Sequence, residues 1–153
     1  FQGYYNPFTG EAQVNTRIPN FLQPYVTCHE MAHQIGYASE SEANFVGFLA
    51  ATHSADTLMQ YSSYFDMFLY ALGNLSAVDS LAAKAIAKEL HEGVKRDLRT
   101  YREFAKKHRT FIQGWTDVLY DYYLRRNRQR KGIESYNEVT GWLIAYKKKN
   151  GSL

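Results

Sequence analysis

The hydrophobic and polar positions of this chain fall into two regimes. The first 25 residues carry no sustained helical period: Asn6-Pro7 and Thr9-Gly10 are turn signals, and Ala12 to Asn15 alternates like a short strand. Pro19 and Pro24 lead into a helix that the pattern places from near Pro24 to Gly36, a residue suited to end a helix in a left-handed conformation. Ser39, with Glu42 three positions on, reads as the capping box of a second helix running through Phe45, Val46, Phe48 and Leu49 to about His53. A third helix, rich in Leu, Met, Phe and Tyr, is predicted from about Asp56 to Leu75. Leu81, Ala85, Ile86, Leu90 and Val94 keep helical spacing, which predicts one continuous helical stretch from Asp79 to about Lys106. Phe111 to about Arg130 and Ser135 to Lys148 complete the set.

The sum is a mainly α fold with a small N-terminal β element. Its 153 residues suit one domain over residues 1–153. Apolar content of 45% and charged content of 22% are those of a globular chain, and a net charge of +3 is too small to argue for nucleic acid. The single cysteine, Cys28, excludes an internal disulfide framework and reads as a small helix residue. No stretch reaches the roughly 18 to 20 apolar residues of a membrane span. The best candidate, Tyr61 to Leu75, is interrupted by Asp66 and reads as a buried helix. The chain opens on Phe1 without an initiator Met or signal-like segment, so the expectation is a fragment of a longer protein.

The chemistry gathers between residues 29 and 44. His29-Glu30-Met31-Ala32-His33 is an HExxH pattern. Residues four apart share a helix face, so His29 and His33 can offer two imidazoles to one ion while Glu30 projects beside them. Zinc held there lowers the pKa of its water towards about 7 and polarises a scissile carbonyl, with Glu30 as the base. A catalytic zinc needs a third protein ligand and one open position. Gly36 lets the chain turn back after the histidine helix, and Glu40-Ser41-Glu42-Ala43-Asn44 follows it. Metzincins place a third His where this chain has Ser39, which excludes that class.

Glu40 is the favoured third ligand. Asn44, one turn later on the same face, is placed to hydrogen-bond the far nitrogen of a ligand histidine. Glu42 is the competitor, but it points roughly 200° away around a regular helix, so the two are not expected to ligate together. The bland alternative, a surface helix with solvated His and Glu, does not account for the combination of HExxH, Gly and Glu. His53, His91 and His108 lack metal spacing with one another.

The stretches Asn6 to Asn15 (NPFTGEAQVN), Thr27 to Tyr37 (TCHEMAHQIGY) and Glu40 to Phe45 (ESEANF) resemble the DUF3810 family, a bacterial group of predicted zinc metallopeptidases. The resemblance continues through Tyr61-Ser62, Tyr123 to Gln129 (YLRRNRQ), Gly132 and Ser135-Tyr136, and so covers nearly the whole chain. It implies a zincin-like helical domain with the β element beside the HExxH helix, and transmembrane helices ahead of it in the full-length protein. Glu40-x-x-Ala43-Asn44 is also similar to the ExxAD block of gluzincins, in which the Glu is a zinc ligand and Asn44 stands in place of Asp. In gluzincin-like peptidases an edge strand ahead of the histidine helix binds substrate backbone, a role open to Pro7 to Asn15. Tyr136 and Tyr123 are candidate donors to an oxyanion.

The resulting expectation is a zinc metallopeptidase with His29, His33 and Glu40 on the metal, Glu30 as general base, Zn2+ as cofactor and a peptide or protein as substrate. Two alternatives stand beside it: a metal- or peptide-binding sensor without turnover, against which the intact Glu30 argues, and a zinc hydrolase of a non-peptide amide. Arg125 to Lys131 and Lys147 to Lys149 are basic runs that read as solvated helix ends, with contact to an anionic lipid surface as a second reading.

Overall fold

The structure, a computed structural model, describes residues 2–108 and 136–153. The expected helix over Phe111 to Arg130, the basic run Arg125 to Lys131, Tyr123 and the side chain of Tyr136 lie outside the described residues.

The chain is mainly helical, with a small two-stranded antiparallel sheet at its N-terminus: β1 (Gly3–Asn6) and β2 (Glu11–Val14). The helices are α1 (Gln23–Gln34), α2 (Glu40–Thr52), α3 (Thr57–Val78), α4 (Ser80–Glu89), α5 (Glu92–His108) and α6 (Tyr136–Asn150). They group into two compact units, one of residues 1–74 and 135–153, the other of residues 75–134. No helix among the described residues is long and apolar enough to cross a membrane.

In the first unit the expected strand near Ala12 is β2, and its partner β1 is new. Gly3 pairs with Val14 and Asn6 with Glu11. The turn between them forms because the Asn6 side chain accepts from the Phe8 amide (3.0 Å) and Gly10 adopts φ +73° while donating to the Asn6 carbonyl (2.8 Å). The hairpin packs on α1, and Gln34 Nε2 ties the end of that helix to the Gly10 carbonyl at 2.7 Å.

Helices α1, α2, α3 and α6 enclose a core of Tyr25, Phe48, Met67, Val139 and Leu143, with Phe45, Leu49 and Tyr70 against it. Phe45 meets Trp142 and Tyr146 edge-on at 5.8 and 6.0 Å, an arrangement that suits the aromatic quadrupole. Gly47 sets how close α2 comes to α1: a Cβ there would stand 3.1 Å from the His29 backbone nitrogen. Glu40, Asn44, Gly47 and Ala51 recur at helical spacing, so the face of α2 that carries Glu40 is the face applied to α1.

The expected capping box is not formed. Ser39 occupies the N-cap of α2, but its hydroxyl pairs with Ser41 Oγ at 2.9 Å, and Ser41 in turn donates to Glu138 on α6 at 3.2 Å. The Ser39 hydroxyl thus goes to a neighbouring side chain, which a tertiary contact with α6 holds, and not to the helix end.

In the second unit the continuous helix expected from Asp79 to Lys106 is two helices. Asp79 caps α4 by accepting from the amides of Leu81 (3.0 Å) and Ala82 (2.9 Å). Leu90 is extended (ψ 145°) and ends it. His91 then starts α5, its Nδ1 accepting from the Gly93 amide at 3.1 Å. The apolar period survives this break, which is why spacing alone did not reveal it.

Candidate metal centre

Helix α1 places His29 and His33 on one face, with ring centroids 4.7 Å apart and planes at 90°. The Schellman turn that ends the helix is built on Gly36 at φ +113°: Tyr37 N–H reaches the Ala32 carbonyl and Gly36 N–H the His33 carbonyl, both at 3.1 Å. The chain reverses there, and α2 begins with Glu40 in its first turn, where a carboxylate suits the helix dipole.

Glu40 is thereby set between the two histidines. Its Oε2 lies 3.3 Å from His29 Nε2 and its Oε1 3.5 Å from His33 Nε2. One donor atom from each of His29, His33 and Glu40 falls within 4.8 Å of the others, and no other group of His, Cys, Asp and Glu side chains among the described residues meets that condition. These separations exceed the 2.7–2.9 Å of a tight charge-assisted hydrogen bond. Each runs to a different oxygen of Glu40, and each is close to the roughly 3.3–3.6 Å between two donors that lie about 2.0–2.2 Å from one zinc ion. The donor set therefore fits a divalent ion, with borderline-soft imidazoles beside one hard carboxylate. Glu42 is exposed and stands outside this group.

Electrostatics bind the three together. Burial alone would raise the Glu40 carboxyl, but the His29 and His33 rings outweigh it and hold Glu40 well below the usual carboxylate range. Burial alone would lower His33, yet Glu40 and the Tyr37 carbonyl beside it push the ring above its ordinary value. His33 Nδ1 lies 2.7 Å from that carbonyl. A neutral His33 therefore donates through Nδ1 and leaves the Nε2 lone pair facing Glu40 and the metal position.

Glu30 is 6% exposed, between α1 and the hairpin. Burial pushes its carboxyl up, against the opposite pull of His29 and His33. The backbone that crowds it is β1: a Cβ on Gly3 would stand 2.6 Å from Glu30 Cγ and 2.8 Å from its Cδ. The strand against Glu30 is thus β1, ahead of the Pro7 to Asn15 stretch that the sequence offers for that place.

Asn44 is 2% exposed, and its Oδ1 takes a 2.9 Å hydrogen bond from the Tyr25 hydroxyl. Its Nδ2 and His29 Nδ1 are both buried without a partner among the described residues. Asp66 on α3 belongs to the same neighbourhood without a motif to mark it. It is 7% exposed, burial pushes its carboxyl up to about 7 against the pull of His29, and it in turn raises Tyr25 further. The charge interrupting an apolar helix was its visible signal.

The remaining candidates have structural occupations. Burial raises the Cys28 thiol, the opposite of activation. His53 closes the end of α2 (Nδ1 2.8 Å from the Leu49 carbonyl), and His108 closes α5 (Nδ1 2.9 Å from the Phe104 carbonyl).

The chain is mainly helical, and its first unit carries a candidate metal centre on an HExxH helix, completed by the first turn of the next helix. The chain belongs to the family described as "Protein of unknown function (DUF3810)", which matches residues 1–144. No curated protein and no solved structure matches it.

Proposed function

We propose that this domain is a zinc-dependent peptidase, with His29, His33 and Glu40 as the metal ligands and Glu30 as the general base. One observation carries the reading: one donor atom from each of His29, His33 and Glu40 lies within 4.8 Å of the others, with the buried carboxylate of Glu30 beside the histidines on α1. Zinc at that position supplies Lewis acidity towards a carbonyl oxygen and makes water acidic near neutral pH.

The chain's own residues do the rest. Glu40 would neutralise one of the two positive charges of a bound ion, and the Tyr37 carbonyl fixes the ring of His33. Glu30, raised by burial, is a stronger base than a solvated carboxylate. Its carboxylate takes the proton of the attacking water as the new C–O bond forms. It then passes that proton to the amine nitrogen as the C–N bond breaks, so acid and amine are released and Glu30 returns to its starting state. Resemblance to membrane-anchored relatives supports placing this domain beside a membrane in the full-length protein; fractionation of cells expressing that protein checks it.

The activity is tested with Glu30→Gln against an unbiased peptide library. The variant should keep its zinc and lose cleavage by about a hundredfold or more, in line with removal of a general base. Zinc-loaded protein that leaves the library intact while hydrolysing cell-wall amides would move the substrate to that class. Cleavage by the Gln variant at the wild-type rate would remove Glu30 from the mechanism.

A further inference from the structure

Positive charge is divided unevenly between the two units. Residues 75–134 hold 14 Lys and Arg against eight Asp and Glu, a net charge of +6. Residues 1–74 and 135–153 hold four against seven, a net charge of −3. The second unit is therefore the part of the chain that a polyanionic surface attracts. Exposed Arg99, Arg102 and Lys106, at three- and four-residue spacing on α5, belong to that charge.

Helix α4 gives the charge a surface. Its buried residue is Ala83, and on the side away from it Leu81, Lys84, Ala85 and Lys88 recur at three- and four-residue spacing, all exposed. Leu81 is 77% exposed, and Val78, which ends α3 three residues earlier, is 89% exposed. The nearby carboxylates do not cancel the lysines. Asp79 is spent on the amides of Leu81 and Ala82, and Glu89 stands roughly 100° round the helix from Lys88. One exposed face thus joins a large apolar side chain to two lysines and carries no acid.

We propose that α4 docks the second unit on an anionic lipid surface. Leu81 and Val78 enter between the headgroups, while the stems of Lys84 and Lys88 lie along the boundary and bring their ammonium groups to lipid phosphates. Both halves of the face are then used: apolar area leaves water, and each lysine adds attraction close to the surface. A nucleic acid would use the lysines and leave Leu81 and Val78 in water, so the lipid surface is the better fit. The inference stands on the second unit alone and is independent of the zinc reading.

The experiment is sedimentation of the 153-residue chain with vesicles of phosphatidylcholine alone and of phosphatidylcholine mixed with phosphatidylserine. The protein should partition onto the mixed vesicles, more weakly as salt rises, and stay free of the neutral ones. Lys84→Gln with Lys88→Gln should lower the partition coefficient about thirtyfold, and Leu81→Ser about tenfold. These side chains are exposed, so the melting temperature and circular dichroism should stay those of the wild type. Lys148→Gln with Lys149→Gln removes the same charge from α6 and should change binding by less than the α4 pair does. Equal losses from the two pairs would assign the attraction to net charge and overturn the docking face. Equal binding to neutral vesicles, no binding to either, or tighter binding to a duplex oligonucleotide at the same salt would also overturn it. Each of those results leaves the zinc content of the protein, and so the metal centre, untouched.

Discussion

The Nδ1 of His33 stands 2.7 Å from the carbonyl oxygen of Tyr37, four residues on in the same chain. The contact exists because Gly36, at φ +113°, turns the chain back immediately after the histidine helix. One glycine thus ends α1, aims α2 and orients a proposed ligand ring.

Gly36→Ala forces a side chain into backbone space that L-residues rarely adopt, at a cost of about 1–3 kcal/mol. For a chain of this size that lowers Tm by about 2–4 °C per kcal/mol. Zinc affinity should fall as well, because relaxation of the turn moves the Tyr37 carbonyl off His33. Melting curves with and without zinc separate the two effects: the loss should be larger in the zinc-loaded form.

Gly3→Ala tests the seat of Glu30. The added methyl would meet Glu30 Cγ at 2.6 Å, so the carboxylate has to move. Zinc content should stay at the wild-type level, because Gly3 stands against Glu30 and not against a ligand. Peptide cleavage should drop by about tenfold to a hundredfold, the usual cost of shifting a reacting group by about 1 Å. Equal cleavage by the two proteins would mean that Glu30 tolerates displacement, which a general base in contact with its water does not.

Much of the site was legible because its chemistry is local. The HExxH spacing lies on one helix, Gly36 turns the chain directly after it, and Glu40 is only seven residues beyond His33, so helical period and one local turn bring the residues to one place. The pieces that escaped depend on contacts between elements. β1 is four residues long and exists by pairing with β2. The break between α4 and α5 is made by an extended Leu90 and a capping His91 that leave the apolar spacing intact. The hydrogen bond between the Tyr25 hydroxyl and Asn44 joins α1 to α2, and nothing local to either helix announces it. Asp66 reads as an interruption of an apolar helix because its burial is set by packing between elements and not by α3 itself.

Zinc-free protein should be more stable at mildly acidic than at neutral pH. His33 is held above its ordinary value, so its contribution is complete below about pH 6.5 and is lost as pH rises through the raised value. Asp66, pushed up to about 7, acts in the same direction: ionising it while buried removes stability from about pH 4 upward until pH 7 is passed. Glu40 opposes them only at low pH, where protonating a carboxylate held below its usual range removes its stabilisation. Zinc reverses the trend, since it binds neutral imidazole and displaces protons. Melting temperatures across pH 5 to 8 should therefore fall with pH in chelator-treated protein and fall less, or rise, with zinc.

The central claim is that His29, His33 and Glu40 hold one ion together, and metal content measures it most directly. Protein purified under metal-replete conditions and passed through a desalting column should carry about one zinc per chain. His33→Ala and Glu40→Ala should each retain a small fraction of that while keeping the helical circular-dichroism signature. Wild-type protein without zinc, or variants that hold as much as the wild type, would contradict the account.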